Sequence, residues 1–80
     1  METQNIIVEN KWISIKTDLP VTCGMYLVFV QFKNNDLYYT TTAWYETGFA
    51  GNKIGWHYKK QDKHEYISHW MTLPNPPGVF

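Results

Sequence analysis

Apolar and polar residues alternate along most of this chain with a period of two. Residues 11–16 put Trp12, Ser14 and Lys16 on one side and Ile13 and Ile15 on the other. Leu19-Pro20 ends that short strand, because Pro cannot donate to a sheet ladder. The strongest element is residues 25–32, Met-Tyr-Leu-Val-Phe-Val-Gln-Phe, apolar on both alternating faces like a central strand covered on two sides. Lys33-Asn34-Asn35-Asp36 predicts a hairpin turn, since Asn and Asp tolerate positive φ. Residues 37–46 then carry Leu37, Tyr39, Thr41, Ala43 and Tyr45 on one face and Tyr38, Thr40, Thr42 and Trp44 on the other. A glycine-containing loop over residues 47–52 leads into residues 53–59, with Ile54, Trp56 and Tyr58 opposed to Lys53, His57 and Lys59. Gln61-Asp62-Lys63 is a polar turn, residues 66–71 are a last strand, and Leu73-Pro74-Asn75-Pro76-Pro77-Gly78 must leave the sheet. No stretch shows a 3.6-residue apolar period. The expected fold is mostly β: a small antiparallel sheet of four to five strands, a meander or half-barrel, with little or no helix. Residues 1–10, with Ile6-Ile7-Val8 as an extra strand or a tail, form an N-terminal extension, and residues 11–80 form the single domain.

Composition narrows what that sheet can be. At 80 residues there is room for one domain, whose core hides roughly 60% of the surface the unfolded chain exposes. Such a core needs support. Cys23 is the one cysteine, so no intrachain disulfide supplies it. Aromatic residues make up 18% of the chain and the formal net charge is zero, which together favour dense aromatic packing and a homo-oligomer. All seven basic residues are Lys, and without Arg forks or net positive charge a duplex nucleic acid is not an expected partner. No run approaches the ~20 apolar residues of a membrane span, and the opening Met-Glu-Thr-Gln-Asn lacks the order of a signal peptide. The expected location is therefore the cytoplasm.

Candidate chemistry is thin. His57, His64 and His69 match no metal-ligand spacing, so no metal and no cofactor is expected. Cys23-Gly24 suggests a nucleophile on a turn, but nothing in the sequence selects a base for it, and a lone Cys is by default a buried, inert thiol. The carboxylates fall mostly in turns and at strand ends, and the glycines form no phosphate loop. One constellation stands out. Tyr38, Thr40, Thr42 and Trp44 share a strand face, and Trp56, His57 and Tyr58 lie on the strand that should pair with it, with Lys59 and Lys60 at its end. Aromatics, hydroxyls and Lys together suit a stacked base and a phosphate. The competing reading is that these residues are core or subunit interface, because a small β domain must bury its aromatics somewhere.

Several motifs resemble a bacterial and phage family, domain of unknown function 551. Trp12-Ile13-Ser14-Ile15 with Leu19-Pro20 resembles its opening, and Tyr26-Leu27-Val28 its central strand. Thr42-Ala43-Trp44-Tyr45 and Trp56 resemble its middle, and Ile67-Ser68-His69-Trp70-Met71 with Leu73-Pro74-Asn75-Pro76-Pro77 its close. Thr72 stands where the family often has Pro, and Val21-Thr22-Cys23 replaces its usual acidic, Pro-containing turn. The resemblance implies a phage or prophage accessory protein, in the host cytosol if phage-encoded, and transfers no catalytic residue.

The expectation is a non-catalytic binding module active in counter-defence or host takeover. Three classes compete: sequestration of a small nucleotide-like ligand, inhibition of a host protein by direct contact, and a minor enzyme acting on a nucleotide. A ligand bound unchanged, a co-purified host protein, or turnover would tell them apart.

Overall fold

The computed structural model describes residues 11–74; the expectations placed on residues 1–10 and on residues 75–80 lie outside it. Five strands follow in chain order: β1 (Ile13–Ser14), β2 (Gly24–Phe32), β3 (Tyr38–Glu46), β4 (Gly55–His57) and β5 (Glu65–Thr72). The only helical element among the described residues is a single 3-10 turn, Phe49–Gly51. The strands form one antiparallel sheet in the order β1-β5-β2-β3-β4. The sheet has two edges and is not closed into a barrel. Among the described residues no helix is long and apolar enough to cross a membrane.

The mostly β, five-stranded antiparallel architecture is as the alternation predicts. The path of the last strand differs from a simple meander. β2, β3 and β4 follow one another in space, but β5 returns to the far side of β2, where Val28 pairs with Trp70 and Phe32 with Glu65. β2 is the middle strand, as its long apolar run predicts, but the expected cover on two sides is not found: among the described residues only the face of Val28 and Val30 is packed over, and Met25 on the other is 47% exposed. β1 then adds to β5 through Ile13 opposite Trp70, so the two ends of the described chain are neighbours in the sheet.

One face carries the core. Val28, Val30, Ala43, Ile67 and Trp70 are buried there, with Ile13, Ile15, Tyr26, Tyr39, Trp56 and Tyr58 packed against them. Ile67 and Trp70 are three residues apart yet share this face. A bulge makes that possible: Phe29 pairs with His69 but Val30 pairs with Ile67, so Ser68 is extra and the alternation of β5 slips by one. The connections fold over the same face. Trp70 Nε1 donates to the Asp18 carbonyl at 2.9 Å, and Tyr26 Oη donates to the Thr22 carbonyl at 2.9 Å, which hold the β1–β2 loop across the core. Among the described residues the opposite face is left open.

Candidate functional site

β4 pairs along its whole length with the last three residues of β3 only. Trp44 faces His57, Tyr45 faces Trp56, and Glu46 faces Gly55. Beyond His57 the chain leaves β3, and among the described residues no strand pairs with the outer edge of β3 before Trp44. Glu65 accounts for the departure. Its carboxylate is fully buried and accepts hydrogen bonds from the Gln61 amide at 3.1 Å, the Asp62 amide at 3.0 Å, Tyr58 Oη at 3.2 Å and Tyr39 Oη. The segment after β4 is thereby pulled over the core face and away from the strand edge.

A groove of about 310 Å³ lies between that edge and the departing segment. Thr41, Thr42 and Ala43 form its floor, Trp44 and His57 one end, and Tyr39, Tyr58, Lys59 and Gln61 the rest, with Met25 beside Trp44. Its size sits at the lower end of the ~300–1,000 Å³ of small-molecule sites, enough for one heterocycle with a short substituent. A strand edge without a partner presents a row of backbone donors and acceptors. The groove therefore offers strand-edge hydrogen bonds, an indole, an imidazole, a phenol and an ammonium within one cleft.

Several of these groups are held in place. Trp44 Nε1 donates to Glu46 Oε1 at 3.1 Å, which fixes the indole while its ring stays 41% exposed. Glu46 also accepts from Cys23 Sγ at 3.3 Å, and Cys23 in turn lies 3.1 Å from Thr47 Oγ1. The Trp44 hydrogen bond, followed by that of Cys23, holds the Glu46 carboxyl below its usual range against the opposing effect of burial. His57 Nε2 lies 2.9 Å from the Lys53 carbonyl. A carbonyl only accepts, so Nε2 carries the proton of this hydrogen bond. Burial pushes the Glu65 carboxyl up, but the hydrogen bonds from Tyr39, Gln61, Tyr58 and Asp62 outweigh it and hold the group below its usual range. Burial and this anion together push the Tyr39 phenol up to about 12 and raise Tyr58 further, so both remain hydrogen-bond donors.

The nine residues singled out from the sequence are divided by the structure. Thr42, Trp44, His57, Tyr58 and Lys59 meet in the groove. Tyr38 and Thr40 lie on the open face of β3, away from it, and Lys60 is exposed beyond it. Trp56 is on the core face, edge-on to Tyr45 at 4.7 Å and to Tyr26 at 6.1 Å. Its buried Nε1 has no hydrogen-bond partner among the described residues. Tyr39, Thr41 and Gln61 were not singled out. The first two sit on the face that alternation assigns to the core, and Gln61 enters only through its amide bond to Glu65.

The other candidate groups are dispersed. His64 Nδ1 pairs with Asp62 Oδ1 at 3.0 Å, and His69 Nδ1 lies 2.8 Å from Ser68 Oγ. Among the described residues no three His, Cys, Asp or Glu side chains gather as metal ligands. A second aromatic group occupies the open face. Phe29, central on β2, lies 5.6 Å from Trp12, 5.1 Å from Tyr38 and 6.1 Å from His69. Trp12, Phe29 and His69 enclose a shallow, almost wholly apolar notch of about 250 Å³. Only the strand order brings these residues together, so the linear alternation carries no sign of it.

No curated protein and no solved structure matches the chain. The family described as Protein of unknown function (DUF551) matches residues 11–78, which span all five strands and the groove. A match over most of the 80 residues places this chain in that family, to which it belongs.

Proposed function

We propose that this chain is a non-catalytic binding module that sequesters a small nucleotide-like ligand in the groove beside β3. The observation that carries this reading is the meeting of Trp44, His57, Tyr58 and Lys59 along an unpartnered strand edge. A planar heterocycle stacks on the exposed indole at ~1–3 kcal/mol and satisfies its edge on backbone groups of β3. Lys59 meets an attached phosphate as a point charge. The setting we propose is that of a phage or prophage accessory protein, a homo-oligomer in the host cytosol, engaged in counter-defence or host takeover. It rests on the motifs shared with the family.

A second reading, inhibition of a host protein by direct contact, is favoured by the same strand edge. An extended segment of a partner can add to β3 where β4 stops. Calorimetric titration with the four ribonucleoside monophosphates separates the two. The ligand reading expects a saturable heat that falls at least tenfold in affinity in Trp44→Ala and becomes insensitive to salt in Lys59→Ala, with no product formed. Absence of binding by every nucleotide in the folded wild-type protein rejects it and leaves strand addition as the better reading.

A further inference from the structure

The open face of the sheet meets the groove at one corner, where Met25, Thr42, Trp44 and His57 belong to both, and beyond that corner it exposes large apolar side chains. Tyr38 is 65% exposed there, Met25 47%, Trp12 39% and Tyr66 38%, with Phe29 half-buried at the centre. These residues come from β2, β3, β5 and the approach to β1; Trp12 and Tyr38 pack on Phe29 at 5.6 and 5.1 Å, with the uncharged Gln31, Thr40 and Thr42 on the same face. Among the described residues, the β1–β2 and β4–β5 connections fold over the other side, as the bonds from Trp70 to Asp18 and from Gln61 and Asp62 to Glu65 show.

We propose that this face is the contact surface of a homodimer, in which two copies pack sheet against sheet about a two-fold axis. The inference deepens the reading of the chain as a homo-oligomer and rests on it. Three observations select a second copy as the occupant. The first is charge. The strand residues of this face carry one formal charge, Glu46, which is 6% exposed and held by Trp44 and Cys23 at a corner. A face without charge meets its own copy with no like-charge repulsion, whereas a partner recognised by electrostatic complementarity would need charges to read.

The second observation is area. The five strands hold 31 residues, and a rise of ~3.3 Å per residue with strands ~4.8 Å apart gives a face on the order of 500 Å². Trp12, outside the strands, and the relief of the side chains add to it, toward the ~800 Å² per partner of a standard stable interface. The third is shape. The apolar notch between Trp12, Phe29 and His69 lies on one side of Phe29, and the protruding Tyr38 ring lies on the other. A two-fold axis near Phe29 sets Tyr38 of each copy against the notch of the other, knob to hole, in two sheets packed ~10 Å apart. Trp44 stands at the corner where this face meets the groove, so the groove remains at the rim of the dimer.

The test is the solution mass of the full chain by sedimentation and light scattering at micromolar concentration. The wild-type protein is expected at twice its 9.5 kDa chain mass. Tyr38→Lys, which places a charge in the notch, is expected to weaken dimerisation at least tenfold while its circular dichroism stays that of a folded sheet. Val21→Lys, at a position 91% exposed on the β1–β2 loop, is expected to remain dimeric. A wild-type monomer overturns both self-association and this interface. A dimer that survives Tyr38→Lys unchanged overturns the interface alone and leaves self-association standing. A monomer that dimerises only after removal of residues 1–10 assigns the face to that leading segment and also overturns the proposal.

Discussion

The phenol of Tyr39 on β3 donates a hydrogen bond to the carboxylate of Glu65 at the start of β5, across 26 residues of sequence and across the intervening strand β2. This contact joins two strands that are not neighbours in the sheet. Glu65 is wholly buried, and its remaining oxygen capacity is taken by Tyr58 and the amides of Gln61 and Asp62. One buried anion therefore anchors the β4–β5 connection and shapes the groove beside it.

Removing that anion should be costly. Glu65→Ala leaves two phenols and two amides without their acceptor, and unsatisfied buried donors cost ~1–3 kcal/mol each before relaxation. We expect Glu65→Ala to lower the unfolding free energy by ~3 kcal/mol or more, which for a domain of this size is most of its stability. Glu65→Gln should be intermediate. Urea denaturation of the three proteins measures the order.

The same carboxylate sets an acid limb. Glu65 and Glu46 are both held below their usual value of 4.5 in the folded protein. The unfolded chain therefore takes up protons first as pH falls, and the stability these groups contribute is present above about pH 4.5 and lost below it, progressively, as pH drops through the folded values. Thermal melts between pH 7 and pH 3 should show Tm falling below pH 4.5 in the wild type. The fall should be shallower in Glu65→Gln, which has already lost one of the two groups.

Trp44 and Trp56 should separate function from stability. Trp56 packs against Tyr45, Tyr26 and Trp70, so Trp56→Ala should cost ~3 kcal/mol of stability. Trp44 is 41% exposed and chiefly anchored through Glu46, so Trp44→Ala should cost about 1 kcal/mol and leave a folded sheet. Melts run beside ligand titrations read both. Equal loss of stability in the two variants would show that Trp44 is core and not site.

The turn before β4 offers a backbone check. Gly48 has φ +94°, and a Cβ there would lie 2.8 Å from Ile54 Cγ1. Ala50 also has positive φ, at 66°, although it carries a side chain. Gly48→Ala should destabilise by more than ~1 kcal/mol, and Ala50→Gly should be neutral or slightly stabilising, because the left-handed region favours glycine. Chemical denaturation distinguishes the signs.

Strand positions and their faces were legible in the sequence because a period of two reports side-chain direction without reference to any neighbour. The opposition of Ile13 and Ile15 to Trp12, and of Ala43 and Tyr45 to Trp44, follows from that alone. What alternation does not encode is which strand lies beside which. β5 joined β2 and not β4, so the meeting of Trp12, Phe29 and His69 had no linear signature. The Ser68 bulge hid the shared face of Ile67 and Trp70 for the same reason. Glu65 was missed because a carboxylate at a strand end reads as solvated. A sign was nonetheless present: Glu65 stands two residues before Ile67, on the same face, and Tyr39 and Tyr58 are core-side phenols that each require a polar partner.

Five residues of the sequence-derived site, Thr42, Trp44, His57, Tyr58 and Lys59, share the groove because β3 and β4 do pair as the hairpin pattern implies. Trp56 fell out of the set because neighbouring residues on a strand point to opposite faces, and His57 takes the position beside Trp44.

Native mass spectrometry of the full chain purified from the cells that make it tests the binding reading most directly, since it reports subunit count and bound mass together. The account predicts subunits that retain a small molecule of nucleotide mass, released unchanged on denaturation and absent from Trp44→Ala prepared in the same way. Wild-type protein that carries no small molecule, and takes up none when nucleotides are added, would contradict it.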